Sequence, residues 1–235
     1  MIETPEKAKE ILDYCADICV KMSGWYLELG VDAIAVVDPM TSQISPRHFK
    51  RFVSPCMEPV INSIHNNNGK VTLFCCGNAT KNIELMMQCK PDGIAFDEQV
   101  SLEMVQKLSE TYKVCFEGNM ALTTTLLFGS PTECVREAQE CLEKGKKFGY
   151  ILSPGCDLPY DTPFYNLEAV GSFARDGIVP EESAGFMSLE DALKHCDESE
   201  GEDTAVEIEP GKVFVEIVTL DSDGCAPCQY MVEAV

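Results

Sequence analysis

The sequence predicts an α/β protein with a parallel sheet, made of five or so βα units of a (βα)8 TIM barrel. Short apolar runs of strand length alternate with longer segments of helical periodicity, and this alternation is typical of a parallel sheet. The short runs are apolar throughout, as expected for strands covered on both faces. Polar loops follow them, at the place where parallel α/β folds carry their functional groups.

The first βα unit follows an N-terminal helix. Residues 4–29 carry apolar side chains at helical spacing, and Gly30 ends the helix. Residues 32–38 predict a buried strand. A serine–proline pair then supplies the cap and first turn of a helix over 45–66, which we expect to bend at its prolines.

The alternation continues along the chain. Further strands are predicted at 70–75, 92–96, 113–117 and 148–153, with helices near 80–89, 101–111, 122–127, 130–146 and 162–174. A closed barrel needs eight strands and about 250 residues. Five strands cannot close one, so either three strands precede Met1 in a longer parent protein or the sheet is open.

The C-terminal part predicts a change of domain. We expect barrel units over 1–195, an acidic linker over 196–211 and the start of a thioredoxin-like domain over 212–235. Residues 197–209 contain seven acids and no base, which is typical of a solvated linker.

A Cys-x-x-Cys motif lies in that last segment. Cys225 and Cys228 follow an alternating strand at 212–219 and begin a helix, the context of a thioredoxin-like redox site. The helix N-terminus would stabilise the thiolate of Cys225. The alternatives are a chance pair or half of a zinc knuckle.

Composition excludes some function classes. The formal charge is −21, from 39 acids against 18 bases, which argues against binding nucleic acid or an anionic membrane through a broad basic face. No apolar run approaches the roughly 20 residues that span a bilayer, and the N-terminus lacks an apolar signal core. We therefore expect a cytoplasmic protein with no membrane partner.

The thirteen cysteines are an odd number without an export signal, which favours free thiols over disulfides. Several lie in apolar periodic segments and are predicted to be small core residues. These are Cys15, Cys19, Cys56, Cys89, Cys134 and Cys141.

The strand ends carry thiols, carboxylates and amides. In chain order they are Asp38, Cys76-Gly77-Asn78, Asp97-Glu98, Gly118-Asn119 and Gly155-Cys156. Two thiols and several carboxylates on one rim favour a metal, and thiolate with carboxylate suits zinc. The alternative is that both cysteines are inert buried thiols.

These residues are part of a longer ordered pattern. It comprises Gly30-Val-Asp32, Asp38, Ser45-Pro46, Cys76-Gly77-Asn78, Gly93 to Asp97, Gly118-Asn119, Leu126 to Pro131, Gly155-Cys156, Pro159, Thr162-Pro163 and Asn166-Leu167. In this order and spacing, residues 20–175 resemble the uroporphyrinogen decarboxylase superfamily. The resemblance implies a (βα)8 barrel whose other strands lie N-terminal.

The paired cysteines resemble one branch of that superfamily, the corrinoid-dependent methyltransferases such as the methylcobalamin:coenzyme M methyltransferases. That branch binds zinc through His-x-Cys-Gly and a later Gly-Cys. Cys76 and Cys156 match its cysteine positions, and Phe74 stands at its histidine position. The resemblance implies zinc held by these cysteines, a methyl-corrinoid protein as partner and a small thiol as substrate.

The other rim residues are candidates for supporting roles. Asp97 and Glu98 are predicted to be catalytic carboxylates that assist at the metal. Substrate contacts are predicted for Asp38, Asn78, Asn119 and Tyr160. Asn119 and Asn166 are also expected to orient strand-end loops by side-chain hydrogen bonds to the backbone.

Two other functions stay open. A metal-free decarboxylase would need arginines for the carboxylates of a porphyrinogen, and the chain offers Arg47, Arg51, Arg136 and Arg175, all in or beside predicted helices. A thiol–disulfide redox module, with the barrel as its scaffold, would use the Cys-x-x-Cys motif.

Overall fold

The computed structural model describes residues 3–145 and 149–180. It contains one parallel sheet of five strands in sequence order. The strands are β1 (Ala33–Val37), β2 (Lys70–Cys75), β3 (Gly93–Phe96), β4 (Cys115–Met120) and β5 (Tyr150–Pro154). A run of parallel neighbours joined by helices is the arrangement of a βα barrel wall, so the predicted fold class is confirmed.

Seven α-helices accompany these strands in the described residues. They are α1 (Pro5–Glu28), α2 (Pro46–His48), α3 (Ser54–Asn66), α4 (Ile83–Gln88), α5 (Leu102–Tyr112), α6 (Pro131–Gly145) and α7 (Phe164–Asp176). No described helix is long and apolar enough to cross a membrane. The predicted acidic linker and thioredoxin-like segment lie outside the described residues, so those domain boundaries stay predictions.

The chain divides into two compact units. The first comprises Met1–Met120 with Gln139–Cys156 and holds all five strands, whereas the second, within the described residues, comprises Ala121–Ala138 with 157–180.

Serine side chains cap several helices, as the sequence predicts for the helix that follows Ser45. The Ser45 side chain accepts a hydrogen bond from the backbone N–H of His48. Ser130 and Glu133 form a reciprocal pair at the start of α6, since each side chain accepts from the backbone N–H of the other. The single helix predicted over 45–66 is divided instead, because a π-helical stretch at Phe49–Val53 separates α2 from α3.

Burial alternates along β2. In β2, Val71, Leu73 and Cys75 are buried, and the intervening Thr72 and Phe74 are partly exposed. Opposite faces of a strand carry alternate side chains. We expected strands that are buried on both faces. Within the described residues, β2 is fully buried on one face and partly exposed on the other.

Helix α1 contradicts part of the core prediction. Cys15 and Cys19 are exposed, because α1 packs against α3 with Ala16 and Ser23 buried, and the apolar stripe that includes both cysteines faces away from that contact. Its other exposed members are Ile11, Tyr14, Ile18, Met22 and Trp25. By contrast, Cys56, Cys134 and Cys141 are buried as predicted, and Cys89 is half-buried.

Candidate active site at the carboxyl rim of the sheet

The loops after β2 and β5 bring two cysteines together. Cys76 and Cys156 are joined by a disulfide with their Cα atoms 6.1 Å apart, and both residues are half-buried. Strands β2 and β5 are separated by two others, so their ends would lie about 14 Å apart in a flat sheet. The sheet therefore curves like a barrel wall, which brings the two thiol positions to one rim.

Asp97 holds the loop that carries Cys76. This carboxylate is buried, with one oxygen accepting from the N–H of Gly77 at 2.8 Å and the other from the N–H of Gln99 at 2.9 Å. Gly77 has a φ of 76°, a conformation that favours glycine. The Asp97 carboxylate thus fixes the turn directly after Cys76.

The loop that carries Cys156 packs on the same turn. A Cβ added at Gly155 would lie 2.6 Å from the backbone nitrogen of Glu98, so only glycine fits. The N–H of Gly155 donates to the carbonyl of Met120 at 2.9 Å. Glu98 is an exposed acidic residue beside this loop.

Asn119 holds the Asp97 turn from the other side. Its amide nitrogen donates to the carbonyls of Asp97 and Val100 at 3.1 and 2.7 Å. This confirms the expectation that Asn119 orients a strand-end loop through the backbone. The ends of β2, β3 and β4 are thereby linked. Asn119 of β4 binds the turn after β3, and Asp97 of that turn binds the loop that carries Cys76.

Asp38 and Asn78 shape their own turns. The Asp38 oxygens accept from the N–H of Met40 at 3.0 Å and from the hydroxyl of Thr41 at 2.8 Å. Asn78 is exposed and accepts from the N–H of Thr80 at 3.3 Å. Their predicted contacts with substrate stay predictions.

Asn82 has a structural role that sequence reasoning missed. It is 1% exposed, and its amide nitrogen donates to the carbonyls of Thr41 and Ile44 at 2.7 and 2.9 Å. It ties the segment after β1 to the segment after β2. Its position directly before α4 resembles an ordinary helix cap in the sequence, and nothing local signals the distant partners.

The second unit contains its own asparagine brace. Asn166 donates to the carbonyls of Leu126 and Gly129 at 2.9 and 2.8 Å, as expected. Tyr160 lies in the same unit and is 89% exposed, and its predicted role with substrate stays a prediction. The redox pair, Cys225 and Cys228, lies outside the described residues.

Cys75 shows the alternation expected at the end of β2. It is fully buried, and this burial raises the pKa of its thiol to about 11. Cys75 therefore stays protonated at neutral pH, and its thiol lies buried near the carbonyls of Pro39 and Cys76.

The fit to zinc is incomplete. Catalytic zinc takes three protein ligands and leaves one position open. The residues that the structure describes contain no group of three histidine, cysteine or acidic side chains suited to a metal. Phe74 occupies the histidine position, and both Asp97 oxygens already accept backbone hydrogen bonds. Among the described residues, Cys76 and Cys156 thus supply two ligands and belong to no group of three.

Comparison with known proteins matches most of the chain to one family. The model described as uroporphyrinogen decarboxylase (URO-D) matches residues 1–176. The methylcobamide:CoM methyltransferase MtbA of Methanosarcina acetivorans is 26% identical over 71% of this chain and 48% of the relative. A uroporphyrinogen decarboxylase of Ruthia magnifica is 28% identical over 68% of this chain and 47% of the relative.

A solved structure extends the comparison to three dimensions. A methyltransferase from Methanosarcina mazei superposes with a TM-score of 0.64 and 29% identity, over 75% of this chain and 52% of that one. The chain spans about half the length of the curated relatives it matches.

Proposed function

This chain belongs to the uroporphyrinogen decarboxylase family, and we propose that it is a methyltransferase that moves a methyl group between a corrinoid protein and a small thiol of the coenzyme M type. The observation that carries the proposal is the approach of Cys76 and Cys156 to a Cα separation of 6.1 Å at the carboxyl rim. The similarity to proteins named as methylcobamide:CoM methyltransferases supports it.

The reaction needs a thiolate acceptor. The acceptor sulfur gives an electron pair to the methyl carbon, the cobalt–carbon bond breaks, and cobalt keeps the electrons of that bond. The thiol must lose its proton before this transfer, because the thiolate is the nucleophile. Glu98, exposed beside the Cys156 loop, is the carboxylate that we assign to accept that proton.

The proposal also includes a zinc ion bound by Cys76 and Cys156. Such an ion lowers the pKa of a bound thiol, and Cys76 and Cys156 are the residues that would hold it when both are reduced. Because the described residues add no third ligand to this pair, no step is assigned to the metal. Asp97 is a positioning residue in this scheme, since its two oxygens bind backbone N–H groups.

A second candidate is metal-free decarboxylation of a porphyrinogen. The relative named uroporphyrinogen decarboxylase favours it. Two of the four candidate arginines have other contacts here, since Arg51 lies 5.0 Å from the centre of the Phe52 ring and Arg136 pairs with Glu133 at 3.9 Å. The paired rim cysteines have no part in that chemistry.

The test is a methyl-transfer assay with the reduced 235-residue chain, methylcobalamin and coenzyme M. We expect loss of methyl–cobalt absorbance together with formation of the methyl thioether. Serine at Cys76 or Cys156 should lower the rate at least about 100-fold, the upper end of the loss caused by removing a supporting group at such sites. Cys15→Ser, which changes an exposed thiol on α1, is the matched control.

Two results would contradict the proposal. One is carbon dioxide release from uroporphyrinogen without any methyl transfer, which would support the decarboxylase. The other is methyl transfer that is unchanged in both serine variants, since the rim cysteines would then have no part in it.

A further inference from the structure

Two features of the rim are not explained by methyl transfer. The Cys76–Cys156 pair is bonded, and within the described part of the chain it has no third partner for a metal. We propose that Cys76 and Cys156 form a reversible thiol–disulfide couple that exchanges with dithiols. The couple itself does not depend on the proposed function.

The backbone holds the two cysteines within bonding range independently of their sulfur atoms. The Cys76 loop is fixed by the hydrogen bond from Gly77 to Asp97, and the Cys156 loop by the hydrogen bond from Gly155 to Met120. Their Cα separation of 6.1 Å falls within the range of native disulfides. Both thiols therefore stay close after reduction, at a high effective concentration for closing the bond again.

Exposure separates this pair from the buried thiols of the chain. Cys76 and Cys156 are half-buried, so a thiol reagent has access to them. Burial raises the pKa of Cys56 and Cys75 to about 11 and that of Cys134 to about 12. Those three thiols are protonated at neutral pH and do not compete for exchange.

The exchange step needs a dithiol as the reductant. Its thiolate attacks one sulfur of the Cys76–Cys156 bond, and the other sulfur leaves as a thiolate that takes a proton from solvent. The second thiol of the reductant then attacks the mixed disulfide and releases the remaining rim thiol. In total, two electrons and two protons pass to the rim, and the dithiol becomes a disulfide.

The dithiol has two possible sources. One is the chain's own Cys225-Ala-Pro-Cys228 segment, which lies outside the described residues, and the other is a separate protein with a motif of the same kind. In either case the oxidised rim carries no free thiolate at these positions. If the proposed function holds, oxidation switches the site off.

The experiment equilibrates the purified chain, without added chelator, in buffers of reduced and oxidised dithiothreitol. Free thiols are then blocked with iodoacetamide, and the peptides around residues 76 and 156 are quantified by mass spectrometry. We expect the fraction of chains with a Cys76–Cys156 disulfide to rise as the buffer becomes more oxidising. The midpoint should be the same whether the chain starts reduced or oxidised. Cys75→Ser, which changes the buried neighbour, should leave that midpoint unchanged.

Two outcomes would overturn the couple. One is a bond that persists in the most reducing buffer while circular dichroism shows the native fold. The other is a pair that stays reduced in the most oxidising buffer until a chelator removes a metal. Neither outcome depends on a methyl-transfer assay, so failure of the couple is distinguishable from failure of the proposed function.

A trapping variant identifies the source of the dithiol. In Cys228→Ser, a mixed disulfide between Cys225 and either rim cysteine supports the couple and assigns the reductant to the chain's own C-terminal segment. If Cys228→Ser forms no such adduct and has the midpoint of the wild-type chain, the couple is supported and the reductant is assigned to a separate protein.

Discussion

Cys75 and Cys76 are adjacent in sequence and lie in two different regions of the molecule. Cys75 ends β2 on the covered face of the sheet, is fully buried and has a pKa raised to about 11 by that burial. Cys76 is the first residue after the strand, is half-buried and meets Cys156. A shift of one position along a strand reverses the face, so chemistry here depends on the place of a thiol relative to the strand end.

The largest difference between the two regions is expected in activity. Cys76→Ser should reduce methyl transfer at least about 100-fold, because it removes one of the two rim sulfurs. Cys75→Ser should keep the rate within a few-fold and instead lower the free energy of unfolding by about 1–3 kcal/mol, because it buries a hydroxyl. Methyl-transfer assays and urea unfolding of both variants measure this difference. Equal losses of activity in Cys76→Ser and Cys75→Ser would contradict the prediction.

A second prediction concerns the carboxylate that positions the rim. Asp97→Ala removes the acceptor for the N–H groups of Gly77 and Gln99. We expect a loss of about 1–3 kcal/mol in unfolding free energy and slower closure of the Cys76–Cys156 bond after reduction. Asp17→Ala, on the exposed part of α1, is the control. Closure at the wild-type rate would show that Asp97 does not position the loop.

The third prediction concerns the pH dependence of stability that the buried thiols cause. The folded pKa values of Cys56, Cys75 and Cys134 lie above the ordinary value of 9.0. Their contribution to stability is therefore complete below pH 9 and is lost as pH rises toward the folded values. Urea unfolding midpoints should fall between pH 9 and 11, and less steeply in Cys75→Ala. An identical fall in that variant would contradict burial as the cause.

The smallest effect is expected at the opposite, amino end of the sheet. Burial alone would raise the pKa of Asp92, but hydrogen bonds from Lys70, Val71 and His65 outweigh it and lower that pKa. This stabilisation is present above the ordinary pKa of 3.8 and is lost as pH falls below it. Because Lys70 is exposed and solvent screens its charge, Lys70→Met should lower the free energy of unfolding by less than Cys75→Ser does, as measured by urea unfolding at pH 7. A larger loss would show that this end matters as much as the core.

Strand order and the rim residues were predictable because they follow from local patterns. Apolar runs placed all five strands, and the polar residues after them identified Cys76, Asp97 and Cys156. The strand-end positions placed Cys76 and Cys156 on one rim, and the resemblance to a family gave them a shared role. The curvature that brings the ends of β2 and β5 together is a long-range property of the sheet, so local patterns did not predict the bond between the two cysteines. The distant bonds of Asn82 had no local signal at all.

Local patterns also could not predict which face of α1 packs against the rest of the protein. Helical periodicity identifies an apolar stripe, and it does not say which neighbour packs on it. Cys15 and Cys19 lie on such a stripe and are exposed, because α1 contacts α3 through Ala16 and Ser23 instead.

The most direct measurement of the central claim is a double-mutant cycle on methyl transfer with Cys76→Ser, Cys156→Ser and the combined variant. If the two sulfurs act as one unit at the rim, each single variant loses as much rate as the combined variant. Losses that simply add, or a single variant with the wild-type rate, would contradict a shared site.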